Sequence, residues 1–216
     1  MIILALDTTS EFGSIAVRRN GQTIAQTAIH SPEGFAHLIF PAIERVLEEA
    51  DVRLADIDCF AAASGPGSFT GVRIGLSAVK GLAEAMQKPA AGISNLRAVS
   101  SFGSLPLRAV VLDARRGEVY AGLYNAALQP VVPEAVLPLA SWAATLAPHS
   151  EYEFIRQTGS QFELPAPHVT EAPRSLAPAI ALCAELDGKA NRWFDPAVLD
   201  ANYVRRSDAE LFWKEA

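Results

Sequence analysis

One order of elements occurs twice in this chain, and the repetition limits the folds that it can adopt. Residues 1–26 read MIILALDTTSEFGSIAVRRNGQTIAQ, and residues 107–132 read LRAVVLDARRGEVYAGLYNAALQPVV. Each copy has an apolar strand ending in Leu-Asp, a polar turn, a second strand, a turn and a third strand, so Asp7 corresponds to Asp113. The repeat predicts an α/β fold of two duplicated lobes whose mixed sheets face a cleft. Two unrelated hairpins are the alternative.

The N-terminal lobe, placed at residues 1–105, begins with three predicted strands. Ile2–Leu6 is a continuous apolar run, as expected of a strand covered on both faces. The Asn-Gly pair at 20–21 predicts a hairpin, because a type I′ turn needs positive φ at both central positions. Apolar residues at helical spacing then predict a helix over Gly34–Ala50, with a kink or a late start because Pro41 has no backbone N–H to donate.

The C-terminal lobe, placed at residues 106–216, is less regular after its repeat. The proline-containing stretches Leu128–Pro138 and Leu164–Pro178 are interpreted as connections. Arg174–Leu186 is interpreted as a late helix.

Composition indicates a globular protein without a strong electrostatic surface for nucleic acid. The 216 residues are 50% hydrophobic, with a formal net charge of −6, and the basic pairs at 115–116 and 205–206 are too short to bind a polyanion alone. No apolar run reaches the roughly 18 residues that span a bilayer, and no basic leader opens the chain, so we expect a cytoplasmic protein. Cys59 and Cys183 lack C-x-x-C spacing, which favours two buried free thiols over a disulfide.

A glycine-rich loop, GPGSFTGVRIG at Gly65–Gly75, precedes a predicted helix. Gly65 and Gly67 permit close backbone approach, and Ser68 or Thr70 can cap the helix. The N–H groups of a helix N-terminus attract anions, but the loop has neither G-x-x-x-x-G-K-[ST] nor G-x-G-x-x-G spacing. A phosphate site and a tight turn without a ligand are therefore equal alternatives.

Two acids and two hydroxyls could complete a nucleotide site. A phosphotransferase needs acids that hold Mg²⁺ near the phosphates, and Asp7 and Asp113 end equivalent strands. The Thr8 and Thr9 hydroxyls could bind phosphate or simply stitch the turn. Because the late chain lacks a Gly-Gly adenosine loop, we expect no resident cofactor or metal and leave weak ATP or ADP binding open. The candidate vestigial nucleotide site comprises Asp7, Thr8, Thr9, Gly65, Gly67, Ser68 and Asp113.

The helix predicted at Thr70–Met86 has an apolar stripe, a polar stripe and a band of very small residues. The band comprises Gly71, Gly75, Ala78 and Ala85, with Gly81 close by. Glycine inside a helix costs roughly 0.5–1 kcal/mol relative to alanine, so the band needs a compensating reason. Close approach of a second helix is the expected reason, and that helix belongs either to a partner chain or to Gly34–Ala50 of this chain.

Three motifs together resemble the bacterial TsaB family, also called YeaZ: MIILALDTTSEFGSIAV, ASGPGSFTGVRIGLSAVKGLA and LDARRGEVYAGLY. The match is looser after Asn125, apart from NYVRR at Asn202–Arg206, which resembles the family's C-terminal Tyr-x-Arg segment. The resemblance implies the two-lobed fold of the actin, Hsp70 and sugar-kinase (ASKHA) superfamily, with a degenerate second lobe.

The resemblance also implies a role. TsaB-like proteins are non-catalytic partners of TsaD, which places threonylcarbamoyl on the adenosine beside the anticodon of tRNAs that read codons beginning with A, and the ATPase TsaE joins them. The family pairs through two helices of the N-terminal lobe, as a homodimer alone or with TsaD, and meets tRNA only through the complex, with no membrane. The partner interface implied here comprises Phe35, Leu38, Ile39, Gly71, Gly75, Ala78, Gly81, Leu82 and Ala85.

The histidines do not support catalysis. A metal site like that of TsaD needs two histidines one helical turn apart, whereas His30 and His37 are seven apart and His149 and His168 are isolated. A protease needs a nucleophile beside a base, and the sequence places no histidine near Ser64 or Ser68 that indicates such a pair. The leading interpretation is a non-catalytic partner of TsaD. An active ATP-binding phosphotransferase or ATPase, and then a protease, are the alternatives.

Overall fold

Two five-stranded sheets with the same strand order form the body of the protein, so the predicted duplicated α/β architecture is confirmed. The computed structural model describes residues 1–160, 162–165 and 169–205. The strands are β1 (Ile2–Asp7), β2 (Phe12–Arg19), β3 (Gln22–His30), β4 (Cys59–Gly65), β5 (Ala90–Ser94), β6 (Leu107–Asp113), β7 (Glu118–Asn125), β8 (Pro130–Pro138), β9 (Tyr152–Gln157) and β10 (Val169–Ala172). The helices are α1 (Ile39–Glu49), α2 (Phe69–Met86), α3 (Asn95–Ser100), α4 (Leu139–Thr145) and α5 (Ala177–Lys189).

The strand order is β3-β2-β1-β4-β5 in the N-terminal sheet and β8-β7-β6-β9-β10 in the C-terminal sheet. In each sheet three antiparallel strands form a meander, and two further strands run parallel to the first. Asp7 and Asp113 each end the first strand of their meander, which rules out two unrelated hairpins. The hairpin at 20–21 is also confirmed, since Asn20 has φ 50° and Gly21 has φ 90°.

Different helices cover the two faces of the N-terminal sheet. Leu4 and Leu6 of β1 face α1 and α2, and together with them they form one buried cluster. Ile3 and Ala5 face the other side, where α3 and α5 pack. Because neighbouring residues of a strand point to opposite faces, burial on both sides explains the continuous apolar run.

The two halves of the chain exchange helices across the space between the sheets. α5, from the second half, packs on β1 and β2, whereas α3, from the first half, packs on β6 and β7. Two ion pairs fix α5 there: Arg18 Nε lies 2.5 Å from Glu185 Oε2, and Arg97 donates to both oxygens of Asp187 at 2.7 and 2.9 Å. The lobe boundary after residue 105 stays a prediction, and each lobe contributes one helix to the other.

Prolines account for most of the differences from the predicted elements. α1 begins at Ile39, which places Pro41 in the first turn where no backbone donor is needed, so the late start is confirmed. The interpretation of Leu128–Pro138 as a connection is wrong, because β8 occupies it as an edge strand, where proline is tolerated. The described part of Leu164–Pro178, which leaves out residues 166–168, likewise contains β10 and the first two residues of α5.

Both cysteines are buried and free, as predicted. Of the helices in the described part of the chain, none combines the length and apolar character needed to cross a bilayer.

Candidate functional site

A cleft of about 1350 Å³ lies between the two lobes and contains most of the predicted nucleotide site. The turn after β1 and the glycine loop line it on the N-terminal side, and the turn Asp113–Arg116 lines it on the C-terminal side. The segment Asn202–Arg205 lines it as well. The site is therefore built from the ends of equivalent strands in the two sheets, as the repeat predicts.

The glycine loop between β4 and α2 holds the chain's own first turn. Ser68 is the N-cap of α2, and its Oγ accepts a hydrogen bond at 3.3 Å from the backbone N–H three residues on, so the predicted cap is confirmed. The N–H of Ser68 donates to Thr9 O at 2.7 Å. A Cβ at Gly67 would lie only 2.6 Å from the same oxygen. Gly67 and one N–H group of the loop thus serve close packing against the turn.

The threonine hydroxyls of the turn are both engaged within the protein. Thr8 Oγ1 donates to Gly71 O at 2.7 Å, and Thr9 Oγ1 donates to Asp7 Oδ1 at the same distance. Asn95 Nδ2, from the start of α3, donates to Thr9 Oγ1 at 2.5 Å. The hydroxyls therefore stitch the turn, which is one of the two roles that the sequence left open.

Asp7 lies beneath this turn and does not reach the cleft. Its residue is 2% exposed, and it is not among the residues that line the cavity. Burial raises the pKa of its carboxyl to about 6, although hydrogen bonds from Thr9 and from the Leu176 backbone act in the opposite direction. Its carboxylate accepts two hydrogen bonds from Thr9 and so organises the turn, while its part in a vestigial nucleotide site stays a prediction.

Asp113 does lie in the cleft and is exposed. Its Oδ1 accepts the backbone N–H of Arg115 at 2.7 Å, so it shapes its own turn. Gly159 and Arg174 line the same cleft, and Arg174 lies so close that a Cβ at Gly159 would be 2.0 Å from its Nη2. The guanidinium of Arg174 in turn stacks over Phe12 at 4.2 Å.

No cluster of three histidine, cysteine, aspartate or glutamate side chains that could hold a metal occurs within residues 1–160, 162–165 and 169–205. His30 stacks on Phe12 with ring centroids 4.6 Å apart, and His37 is exposed just before α1. His168 lies outside the described residues. Nothing in the described chain assembles the histidine pair that a transferase of the TsaD type requires.

Four of the predicted partner-interface residues pack against other parts of this chain. Phe35 and Ile39 are each 2% exposed and belong to the interior. A Cβ at Gly71 would lie 2.0 Å from Thr8 O, and one at Gly75 would lie 2.6 Å from Thr8 Oγ1. The reason inferred for these two glycines is therefore wrong: they admit the β1–β2 turn, and neither α1 nor a partner helix fills that space.

The remaining residues belong to α2 and to the start of α1, two helices that cover the same face of the N-terminal sheet. Gly81 and Ala85 are exposed, with no atom within 4 Å of a Cβ at Gly81, while Leu38 and Leu82 are half-buried and Ala78 is buried at the edge. Phe40 of α1 is 49% exposed, which the sequence did not single out. We call the surface of Leu38, Phe40, Ile74, Gly81, Leu82 and Ala85 the helix-pair face. Its role in binding a partner stays a prediction.

Sequence reasoning also missed several polar residues that join the lobes. Glu134 of β8 accepts hydrogen bonds from Tyr124 OH and Ser94 Oγ, and its other oxygen accepts from Asn202 Nδ2 at 2.6 Å. Tyr203 and Arg205, part of the resembling NYVRR segment, line the cleft, whereas Arg206 lies outside the described residues. No spacing rule predicts such contacts, because the partners of Glu134 lie 10, 40 and 68 residues away from it in the chain.

Fold and site together define a two-lobed α/β protein with duplicated mixed sheets, whose cleft is lined by the turn after β1, the glycine loop and the turn Asp113–Arg116. Residues 23–187 match the family model described as "TsaD: tRNA N6-adenosine threonylcarbamoyltransferase". The chain belongs to this family, and its resemblance to TsaB (YeaZ) is confirmed by the relatives below.

Two curated proteins named "tRNA threonylcarbamoyladenosine biosynthesis protein TsaB" are among the relatives. The Bacillus subtilis protein is 36% identical over 151 residues, which cover 68% of this chain and 66% of that protein. The Escherichia coli protein is 36% identical over 130 residues, which cover 58% and 55%. The matches thus span between about half and two thirds of these relatives.

Solved structures extend the likeness to almost the whole chain. YeaZ from Pseudomonas aeruginosa superposes with a TM-score of 0.79 at 28% identity, covering 94% of this chain and 99% of that one. A second Pseudomonas aeruginosa structure, described as similar to peptidase YeaZ, gives a TM-score of 0.81 at 29% identity with the same coverage.

Proposed function

We propose that this chain acts in forming threonylcarbamoyladenosine beside the anticodon of tRNAs that read codons beginning with A. In this role it is a non-catalytic subunit of the cytoplasm that binds and supports a TsaD homologue. The observation that carries the proposal is the similarity to proteins named for this biosynthesis, at 36% identity in two bacteria. Because those matches are partial, the activity of the whole relatives is extended to this chain as an inference.

The residues of the cleft support a non-catalytic subunit over an enzyme. The family model carries the name of the transferase, yet the four histidines supply no pair at helical spacing. Asp7 is buried beneath the first turn, and the hydroxyls of Thr8 and Thr9 donate within the protein. A phosphotransferase would need these groups at the phosphates, where they would stabilise developing charge. Ser68 Oγ caps α2, which also weighs against a serine nucleophile.

The helix-pair face supports a protein partner. Phe40 is 49% exposed, and Gly81 leaves open space beside α2 into which another helix could pack. A TsaD homologue shares the family of this chain, so its equivalent face could meet this one about a pseudo-two-fold axis, as two copies of this chain would in a homodimer. A TsaE homologue would join that complex, and tRNA would be contacted through it.

Reconstitution tests this function. Purified TsaD and TsaE homologues from one organism, unmodified tRNA, ATP and the remaining precursors are mixed with and without this chain, and incorporation of labelled threonine into tRNA is followed. We expect incorporation only when the chain is present. Equal incorporation in its absence contradicts the proposed role, and incorporation with this chain in place of TsaD contradicts its non-catalytic status.

A further inference from the structure

The segment Leu199–Arg205, called the clamp segment here, crosses from one lobe to the other at the cleft. It begins on the N-terminal lobe, where Leu199 is buried and its Cδ1 lies 2.8 Å from the position that a Cβ at Gly92 would take. The N–H of Asn202 then donates to Ser64 O, at the end of β4, at 2.7 Å. Gly65 admits this approach, since its Cβ position lies 3.2 Å from Asn202 O.

The same residue also binds the C-terminal lobe. Asn202 Nδ2 donates to Glu134 Oε2 of β8 at 2.6 Å, while Glu134 Oε1 accepts from Ser94 at the end of β5. Three positions further along, Arg205 forms an ion pair with Glu118 at the start of β7. Asn202 therefore bonds to both lobes at once, through its backbone on one side and its amide on the other.

Between these anchors, Tyr203 fixes the N-terminus of α2. Its OH accepts from Arg73 Nε at 3.1 Å, and its ring lies 5.6 Å from that of Phe69. The Arg73 guanidinium lies 3.6 Å above the Phe69 ring, within the range of a cation–π contact. The clamp segment thus holds the glycine loop and the start of α2 as well as the lobes.

We propose that the clamp segment holds the two lobes at one fixed opening, so that the cleft does not close on a ligand while the segment is seated. Lobe closure requires one lobe to move against the other about a hinge. That movement cannot preserve the bonds of Asn202 to Ser64 and to Glu134 together, because they join one side chain and its own backbone to opposite lobes. This inference is independent of the proposed function.

The Asn202–Glu134 pair allows a test by charge exchange. Asn202→Asp keeps the shape of the side chain but places a second carboxylate against Glu134, which breaks the bond. Adding Glu134→Gln restores the hydrogen bond in the reverse direction, because the side chain at 134 then donates and the one at 202 accepts. Lobe separation is measured by electron–electron double resonance in the full chain with spin labels at Glu48→Cys and Ser141→Cys, both exposed, since the native cysteines are buried. Hydrogen exchange at residues 199–205 is measured in parallel.

We expect Asn202→Asp to broaden the distribution of lobe distances and to speed exchange in the clamp segment about fivefold or more. The double variant is expected to return both readings to those of the unsubstituted chain. An unchanged distance distribution in Asn202→Asp overturns the proposal. The proposal is also overturned if the distance distribution of the double variant stays as broad as that of Asn202→Asp, since the broadening would then come from general loosening of the fold.

Discussion

Thr8 and Gly71 are in direct contact, with no room for a side chain at residue 71. Thr8 Oγ1 donates to Gly71 O at 2.7 Å, and a Cβ at residue 71 would lie 2.0 Å from Thr8 O. The contact docks the first turn of the chain on the start of α2. It assigns the glycine at this end of the helix to the protein's own interior, and it leaves Gly81 as the glycine of α2 that faces open space.

Alanine at these two glycines should have opposite effects on stability. Gly71→Ala is expected to lower the free energy of unfolding by about 1–3 kcal/mol, because the new methyl group must displace backbone. Gly81→Ala meets no atom within 4 Å and is expected to raise it by about 0.5–1 kcal/mol, through better helix propensity. Urea denaturation of both variants measures the difference. Equal effects of the two substitutions would contradict the assignment of Gly71 to close packing.

The buried carboxyl of Asp7 predicts a pH dependence of stability. Because its pKa is about 6 in the fold against an ordinary value of 3.8, the folded protein binds the proton more tightly than the unfolded chain. Its contribution to stability is therefore complete below 3.8 and is lost as pH rises through about 6. Asp7→Asn cannot ionise and keeps an oxygen for the Thr9 bonds, so its free energy of unfolding should vary less across this window. If the free energy of unfolding of Asp7→Asn changes with pH as steeply as that of the parent chain, other groups cause the pH dependence.

The arrangement of the cleft predicts that the isolated chain does not hydrolyse ATP above background. Asp7 does not line the cleft, and the turn hydroxyls already donate within the protein. Phosphate release is measured with and without Mg²⁺, and Asp113→Asn serves as the matched variant because Asp113 is exposed in the cleft. Sustained hydrolysis that Asp113→Asn abolishes would favour the phosphotransferase alternative. A nucleotide titration of the same proteins tests the weak binding of ATP or ADP that the sequence left open.

Local signals in the sequence predicted much of the fold. The repeated Leu-Asp strands fixed the equivalence of Asp7 and Asp113, and the Asn-Gly pair predicted its hairpin, because turn geometry depends on a few adjacent residues. Ser68 was predicted as a cap on similar grounds. The prolines of Leu128–Pro138 led to the wrong prediction of a connection. Proline is excluded from central strands but not from an edge strand such as β8.

Contacts between distant segments could not be predicted in this way. A small residue in a helix indicates that something comes close, but not which segment does so, and at Gly75 the neighbour is a turn more than 60 residues earlier. The exchange of α3 and α5 between lobes and the bonds of Asn202 also depend on tertiary packing. Such pairs leave no periodic pattern in one sequence.

The central claim, that the helix-pair face binds a TsaD homologue, depends on α2 and can be tested with two leucines on that helix. Gly81→Leu lies on the face, and Lys80→Leu lies on the polar stripe of the same helix, about 100° around the helix axis from Gly81. Neither substitution introduces a helix breaker, and Gly81→Leu meets open space within this chain, so both variants should stay folded. Circular dichroism and thermal unfolding verify this.

Size-exclusion chromatography of each protein mixed with its TsaD homologue then gives the most direct measurement. The parent chain and Lys80→Leu are expected to co-elute with TsaD, whereas Gly81→Leu is expected to elute alone, because its side chain fills the space that a partner helix would enter. Co-elution of all three proteins would contradict the helix-pair face as the binding site, and failure of the parent chain to co-elute would contradict the partnership itself.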